Sequence, residues 1–195
     1  TLRQKIAQGT VIIPANINHK SLKPIAIGQG VKTKINANIG ASKVRACIDE
    51  ELEKLRLCMK YGADAVMDLS TGGNLNKIRG AIIHESDIPI GTVPTYQAVE
   101  ENQAIEGLKP EDWLDVIEQQ AKQGVDFMTI HAGVLQKTLP LLKNRLTGVV
   151  SRGGAILVRW MKANNRENPL YTHFGQICDI FEKYDVAFSL GDALS

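Results

Sequence analysis

Asp126-Phe-Met-Thr-Ile-His-Ala-Gly133 is the stretch that decides the fold. A helical pattern stops at Gly124, a short β-rich run follows, and the run breaks at His131 into two small residues. A buried strand ending in a titratable side chain beside glycine is where α/β proteins place binding and catalytic groups. The other strands are therefore expected to end in the same way.

Outward from this stretch the same rhythm recurs. Thr33 to Asn38 alternates as a strand, and Val44, Ile48, Leu52, Leu55 and Met59 then mark one apolar helical face, closed by Gly62. Glu50 and Lys54 stand at i,i+4 on that helix. Ala63 to Asp68 is the next strand, followed by the stripe Leu75, Ile78, Ile82. Ile88 to Val93 is the third and ends at Pro94-Thr95-Tyr96. Pro110 starts a helix with Glu111 and Asp112 in its first turn, and Trp113, Ile117 and Ala121 form its inner face. Pro140 shortens or kinks the helix over Leu135, Leu139 and Leu142. Leu146 to Val150 reads as the fifth strand, Leu170, Phe174, Ile177 and Phe181 as a helix, and Val186 to Leu190 as the sixth strand.

These strands are apolar throughout, as in a parallel sheet covered on both faces. Two architectures compete, a (βα)8 TIM-type barrel and an open doubly wound sheet. The barrel is favoured. Polar or soft residues end every strand, at Asn38, Met67, Tyr96, His131, Ser151 and Asp192, and no Gly-x-Gly-x-x-Gly follows the first strand. A whole barrel needs about 200 to 250 residues and eight strands. Six strands in 195 residues predict part of one: an N-terminal arm over 1–30 and a partial barrel over 31–195.

Strand C-termini share one barrel mouth, so these residues should converge. Asn38 offers an amide, Asp68 and Asp192 carboxylates, Tyr96 a phenol and a stacking face, and His131 a donor, acceptor or base. Ser151-Arg152-Gly153-Gly154 suits an anion such as phosphate: arginine gives a charged fork, glycine lets backbone N–H groups approach, and the next helix adds its positive end. Plainer roles stand beside these: loop duty for Asn38, core filling for Met67, a rim cover for Tyr96, and a backbone-satisfied ring for His131. His19 reads as a loop histidine held by backbone groups, His84 and His173 as helix residues, and Asp49-Glu50-Glu51 as a solvated helix start.

A formal net charge of +2 gives no reason to invoke nucleic acid or a membrane surface, and no apolar run nears the ~18 residues of a bilayer span. The start, Thr1-Leu-Arg-Gln-Lys5, has no signal-peptide core, and a cytoplasmic location is expected. Cys47, Cys58 and Cys178 form no Cys-x-x-Cys pair, so they read as buried reduced thiols and no metal site is expected.

Several motifs carry a resemblance: Ile12-Ile-Pro-Ala-Asn-Ile-Asn-His19, Lys34-Ile-Asn-Ala-Asn-Ile-Gly40, Val66-Met-Asp-Leu-Ser-Thr-Gly72, Pro89-Ile-Gly-Thr-Val-Pro94 with Tyr96-Gln97, Thr129-Ile-His-Ala-Gly-Val134, Gly148-Val-Val-Ser-Arg-Gly-Gly154 and Ser189-Leu-Gly-Asp192. The chain resembles the phosphomethylpyrimidine synthases of thiamine biosynthesis, the ThiC family, from about residue 3 to 192. The resemblance implies a radical S-adenosylmethionine lyase with a (βα)8 barrel. Such enzymes convert 5-aminoimidazole ribonucleotide into 4-amino-5-hydroxymethyl-2-methylpyrimidine phosphate, using S-adenosylmethionine, a [4Fe-4S] cluster and zinc. It places substrate contacts on Asn38, Met67, Tyr96, His131, Ser151, Arg152, Gly153 and Asp192.

The chain also departs from the family. Where members continue Asp-Gly-Leu-Arg, it has Asp192-Ala193-Leu194-Ser195. The family's zinc histidines, a substrate-contacting glutamate and the Cys-x-x-Cys-x-x-x-x-Cys cluster motif lie downstream of the matched region. A fragment or split product is therefore expected, inactive alone unless a partner chain supplies the missing C-terminal part, and the resemblance implies a homodimer. The alternatives are a paralogue making 5-hydroxybenzimidazole from the same ribonucleotide, a truncated non-catalytic ribonucleotide-binding module, and an unrelated barrel lyase or isomerase with His131 as base.

Overall fold

The computed structural model describes residues 1–102 and 104–194. Five short strands pair in parallel in chain order: β3 (Asn36–Ile39), β4 (Ala65–Asp68), β5 (Ile90–Thr92), β6 (Phe127–Ile130) and β7 (Ala187–Leu190). Before them come helix α1 (Leu2–Ala7) and an antiparallel pair, β1 (Val11–Ile12) with β2 (Ile27–Gly28).

Between the parallel strands run α2 (Ile48–Lys60), α3 (Leu75–Glu85), α4 (Pro94–Asn102) with α5 (Pro110–Gln123), and, before β7, α6 (Arg152–Asn164), α7 (Pro169–Thr172) and α8 (Phe174–Tyr184). Their apolar stripes explain the packing. Trp113, Ile117 and Ala121 of α5 are wholly buried, and Trp113 meets Trp160 of α6 edge to face at 5.7 Å. Phe174 and Phe181 of α8 pack on Phe188 of β7. Gly124 ends α5 at φ +106, a left-handed cap where a β-carbon would be strained.

Strand alternation gives the sheet two unlike faces. The lateral row Ile39–Asp68–Thr92–Met128–Phe188 belongs to the helix-covered face, and its first four members are buried. The row Asn38–Met67–Gly91–Phe127–Ala187 faces the other way, and apart from Gly91 its members are half-buried or exposed.

Several expectations change. Leu146 to Val150 is no strand: β6 already pairs with β5 on one edge and β7 on the other, leaving no edge free. Leu146 and Val150 are exposed, and the parallel sheet has five strands rather than six. Pro140 sits within a 3-10 helix, Gln136–Asn144. Pro94 starts α4 where only a strand end was read. Val44 lies outside α2 and is exposed. Lys54 pairs with Glu51 rather than Glu50, which binds Arg45, so Glu51 is buried instead of solvated. Cys47 is exposed and Cys58 and Cys178 are half-buried; all three are free thiols. His173 joins α7 to α8.

Candidate functional site

The stretch 126–133 carries a polar anchor at each end. Asp126 is fully buried at the start of β6, where its carboxylate accepts from the backbone N–H groups of Asn16 (2.9 Å) and Ile90 (2.7 Å) and faces His19 Nδ1 at 2.7 Å. His19 Nε2 faces the Ser86 carbonyl at 3.0 Å, so both ring nitrogens meet acceptors. Asn16 adds side-chain N–H bonds to the Ala121 and Val125 carbonyls. His19 is thus held by a carboxylate as well as by backbone, and it fastens residues 16–19 beneath the sheet. Burial pulls its pKa down, but the bond and charge of Asp126 and the Ser86 and Ile83 carbonyls outweigh burial and leave it raised.

His131 stands at the opposite end, just beyond β6, on the Phe127 and Thr129 side of the alternation. It is 6% exposed, and its Nδ1 is buried without a hydrogen-bond partner among the described residues. Burial lowers its pKa, against the opposing charge of Asp192, so the ring is neutral near pH 7. A neutral ring has one donor and one acceptor, and the buried Nδ1 meets no partner among the described residues.

The first turn of α6 closes on this ring. Ser151 caps the helix, its Oγ accepting from the Gly154 N–H at 3.2 Å. Gly153 lies flat against His131; a β-carbon there would come within 2.4 Å of the ring. Arg152, the first helical residue, is exposed and places its guanidinium over the Tyr96 ring, 5.0 Å from the centroid. Burial raises the Tyr96 pKa, opposed by the Arg152 charge. After β7, Asp192 Oδ1 accepts from the Leu194 N–H at 2.8 Å, while Val150 N–H donates to the Leu194 carbonyl at 2.9 Å. The turn at 192–194 is thereby tied to the start of α6.

Tyr96, His131, Ser151, Arg152, Gly153 and Asp192 therefore assemble around one helix N-terminus, although Ser151 reaches it as a helix cap rather than as a strand end. Asn38 and Met67 are register partners on β3 and β4. They share the open sheet face with Phe127, but Met67 lies two strands and Asn38 three strands away from β6. Asp68 turns to the helical side, where its Oδ1 accepts from the Ser70 N–H (2.9 Å) and hydroxyl. Its neighbour across the helical layer, Arg79, was not singled out in the sequence, because a lone arginine on a helix reads as surface.

Among the described residues no group of three or more His, Cys, Asp or Glu side chains is arranged to hold a metal ion. The three thiols are scattered, Cys47 just before α2, Cys58 within it and Cys178 on α8. The residues present do not fit a [4Fe-4S] cluster or zinc, and no step through either is assigned to them. No helix among them is long and apolar enough to cross a membrane.

Fold and site together define an α/β chain in which the end of the parallel sheet and the N-terminus of α6 bring His131 and the Arg152–Tyr96 stack together. The sequence profile of the Radical SAM ThiC family matches residues 1–195, and the chain belongs to that family. Membership implies an enzyme of thiamine pyrimidine biosynthesis, with S-adenosylmethionine and an iron–sulfur cluster as cofactors.

Proposed function

We propose that the chain supplies the substrate-holding rim of a phosphomethylpyrimidine synthase, a lyase that turns 5-aminoimidazole ribonucleotide into 4-amino-5-hydroxymethyl-2-methylpyrimidine phosphate. The observation that carries this reading is the first turn of α6, which touches the His131 ring through Gly153 and the Tyr96 ring through Arg152. The 5′-phosphate takes the α6 N-terminus and the Arg152 fork, which leaves Tyr96 to meet it. The neutral His131 ring hydrogen-bonds a polar group of the substrate. Asn38, Met67 and Asp192 complete the contact set on the sheet face and the β7 turn. His131 holds the substrate in this scheme; it is not the catalytic base.

The five-stranded sheet is read here as part of a (βα)8 barrel over 31–195, with residues 1–30 as its arm. The remaining strands, the cluster and the zinc come from outside these residues.

Calorimetric titration with 5-aminoimidazole ribonucleotide tests this. Arg152→Ala should weaken binding by ~1.5–3 kcal/mol, the worth of a hydrogen bond to a charged group. Equal affinity for variant and parent protein would sink the phosphate assignment.

A further inference from the structure

Beneath the rim, on the helical side of the sheet, lies a buried polar network that the substrate-holding scheme does not use. Its centre is Arg79 of α3, 3% exposed. The guanidinium donates to Gln97 Oε1 (2.7 Å) on α4, Gln123 Oε1 (2.6 Å) on α5 and Asn76 Oδ1 (2.5 Å) on its own helix. Gln97 extends the network: its Nε2 donates to Asn76, Glu101 and Gln119, and its Oε1 also accepts from Gln120 Nε2 at 2.9 Å. Gln120 in turn accepts from the Thr92 hydroxyl of β5 at 2.6 Å. Asp68, at the end of β4, attracts Arg79 through its charge.

So much buried polarity is costly unless a fixed geometry repays it. Burial pushes the Arg79 pKa down to about 10, against the opposing charges of Asp68 and Glu101. An apolar contact would hold three helices together as well. What the network adds is direction, because each hydrogen bond fixes an angle as well as a distance.

The sequence shows where that direction is used. Asp68 directly follows Met67, and Gln97 directly follows Tyr96. On a strand, neighbours point to opposite faces, so fixing Asp68 on the helical side fixes Met67 on the open side. In the first turns of α4, Gln97 at 2% exposure locks the helix rotation that presents the half-buried Tyr96 to Arg152.

We propose that Arg79 and Gln97 are positioning residues: their network sets the orientation of Tyr96, and with it the Tyr96–Arg152 stack. The consequence for ligand binding rests on the substrate-holding reading above; the bracing of Tyr96 does not.

The test separates the two. In the full protein with labelled tyrosine, the Tyr96 ring signal is assigned by its loss in Tyr96→Phe. Arg79→Met should shift or broaden that signal and weaken 5-aminoimidazole ribonucleotide binding at least tenfold. Should Arg79→Met fail to fold, Gln123→Met serves: Gln123 is half-buried, lies on α5 away from Tyr96 in sequence, and accepts one Arg79 bond. Its conservative counterpart Gln123→Glu keeps the acceptor and should restore both readouts. An unmoved Tyr96 signal in Gln123→Met, or a shift that Gln123→Glu does not reverse, overturns the proposal. A Tyr96 signal that moves and is rescued in protein that does not bind the ribonucleotide supports the bracing and defeats only the substrate reading.

Discussion

At the scale of single residues, position 193 stands out. The family motif has glycine there, and this chain has alanine at φ +63, buried at 1% exposure. A left-handed backbone costs an L-residue about 1–2 kcal/mol, and the greater freedom of unfolded glycine offsets ~0.4–1 kcal/mol of that. Ala193→Gly should therefore stabilise the protein by up to about 1 kcal/mol, read as a higher urea midpoint at unchanged slope. A midpoint that stays or falls would show that the turn bears no strain. The Ser195 departure lies outside the described residues. Gly153 illustrates the opposite constraint: what requires glycine there is the flat face of His131 rather than backbone sign.

At the scale of elements, residues 16–19 are attached to the sheet through the bonds of Asn16 and through the His19–Asp126 pair. His19 faces Asp126 on one side and the Ser86 carbonyl on the other, and the neighbouring Lys23–Asp87 pair is largely exposed. Because the folded-state pKa of His19 is raised, its contribution to stability is fully present below the unfolded value of about 6.5. It is lost as pH rises through the folded value. The urea midpoint should thus fall as pH climbs above about 6.5, and His19→Gln should flatten that fall. A variant with the parent's full pH dependence would place the titrating group elsewhere.

At the scale of the whole molecule, α5 and α6 meet through Trp113 and Trp160, and α6 is also the helix whose first turn builds the site. Trp160 further donates its indole N–H to the Leu108 carbonyl at 2.7 Å. Trp113→Ala should cost about 3–5 kcal/mol by unfolding, the usual loss for a large buried aromatic. Where the variant still folds, ribonucleotide affinity should fall too, because α6 loses its backing; unchanged affinity would show that the rim is held independently of the core.

The sequence by itself determined the parallel α/β rhythm, because apolar periods of two and 3.6 residues leave few other ways to bury those side chains. It placed β4, β6, β7 and α5 within a residue or two, where glycine, proline and apolar stripes agree. It also supplied the family motifs. It misread Leu146 to Val150, since five apolar or small residues describe a strand and an exposed loop equally well. Only the completed sheet, with both edges of β6 taken, decides between them. Long-range polar partners were hidden for the same reason. Nothing local in Asp126 announces His19, and nothing in Arg79 announces Gln97 and Gln123, residues 18 and 44 positions away. Periodicity is a property of neighbours along the chain; hydrogen-bond direction, burial of a charge and the contact of Gly153 with His131 exist only once distant segments have been brought together.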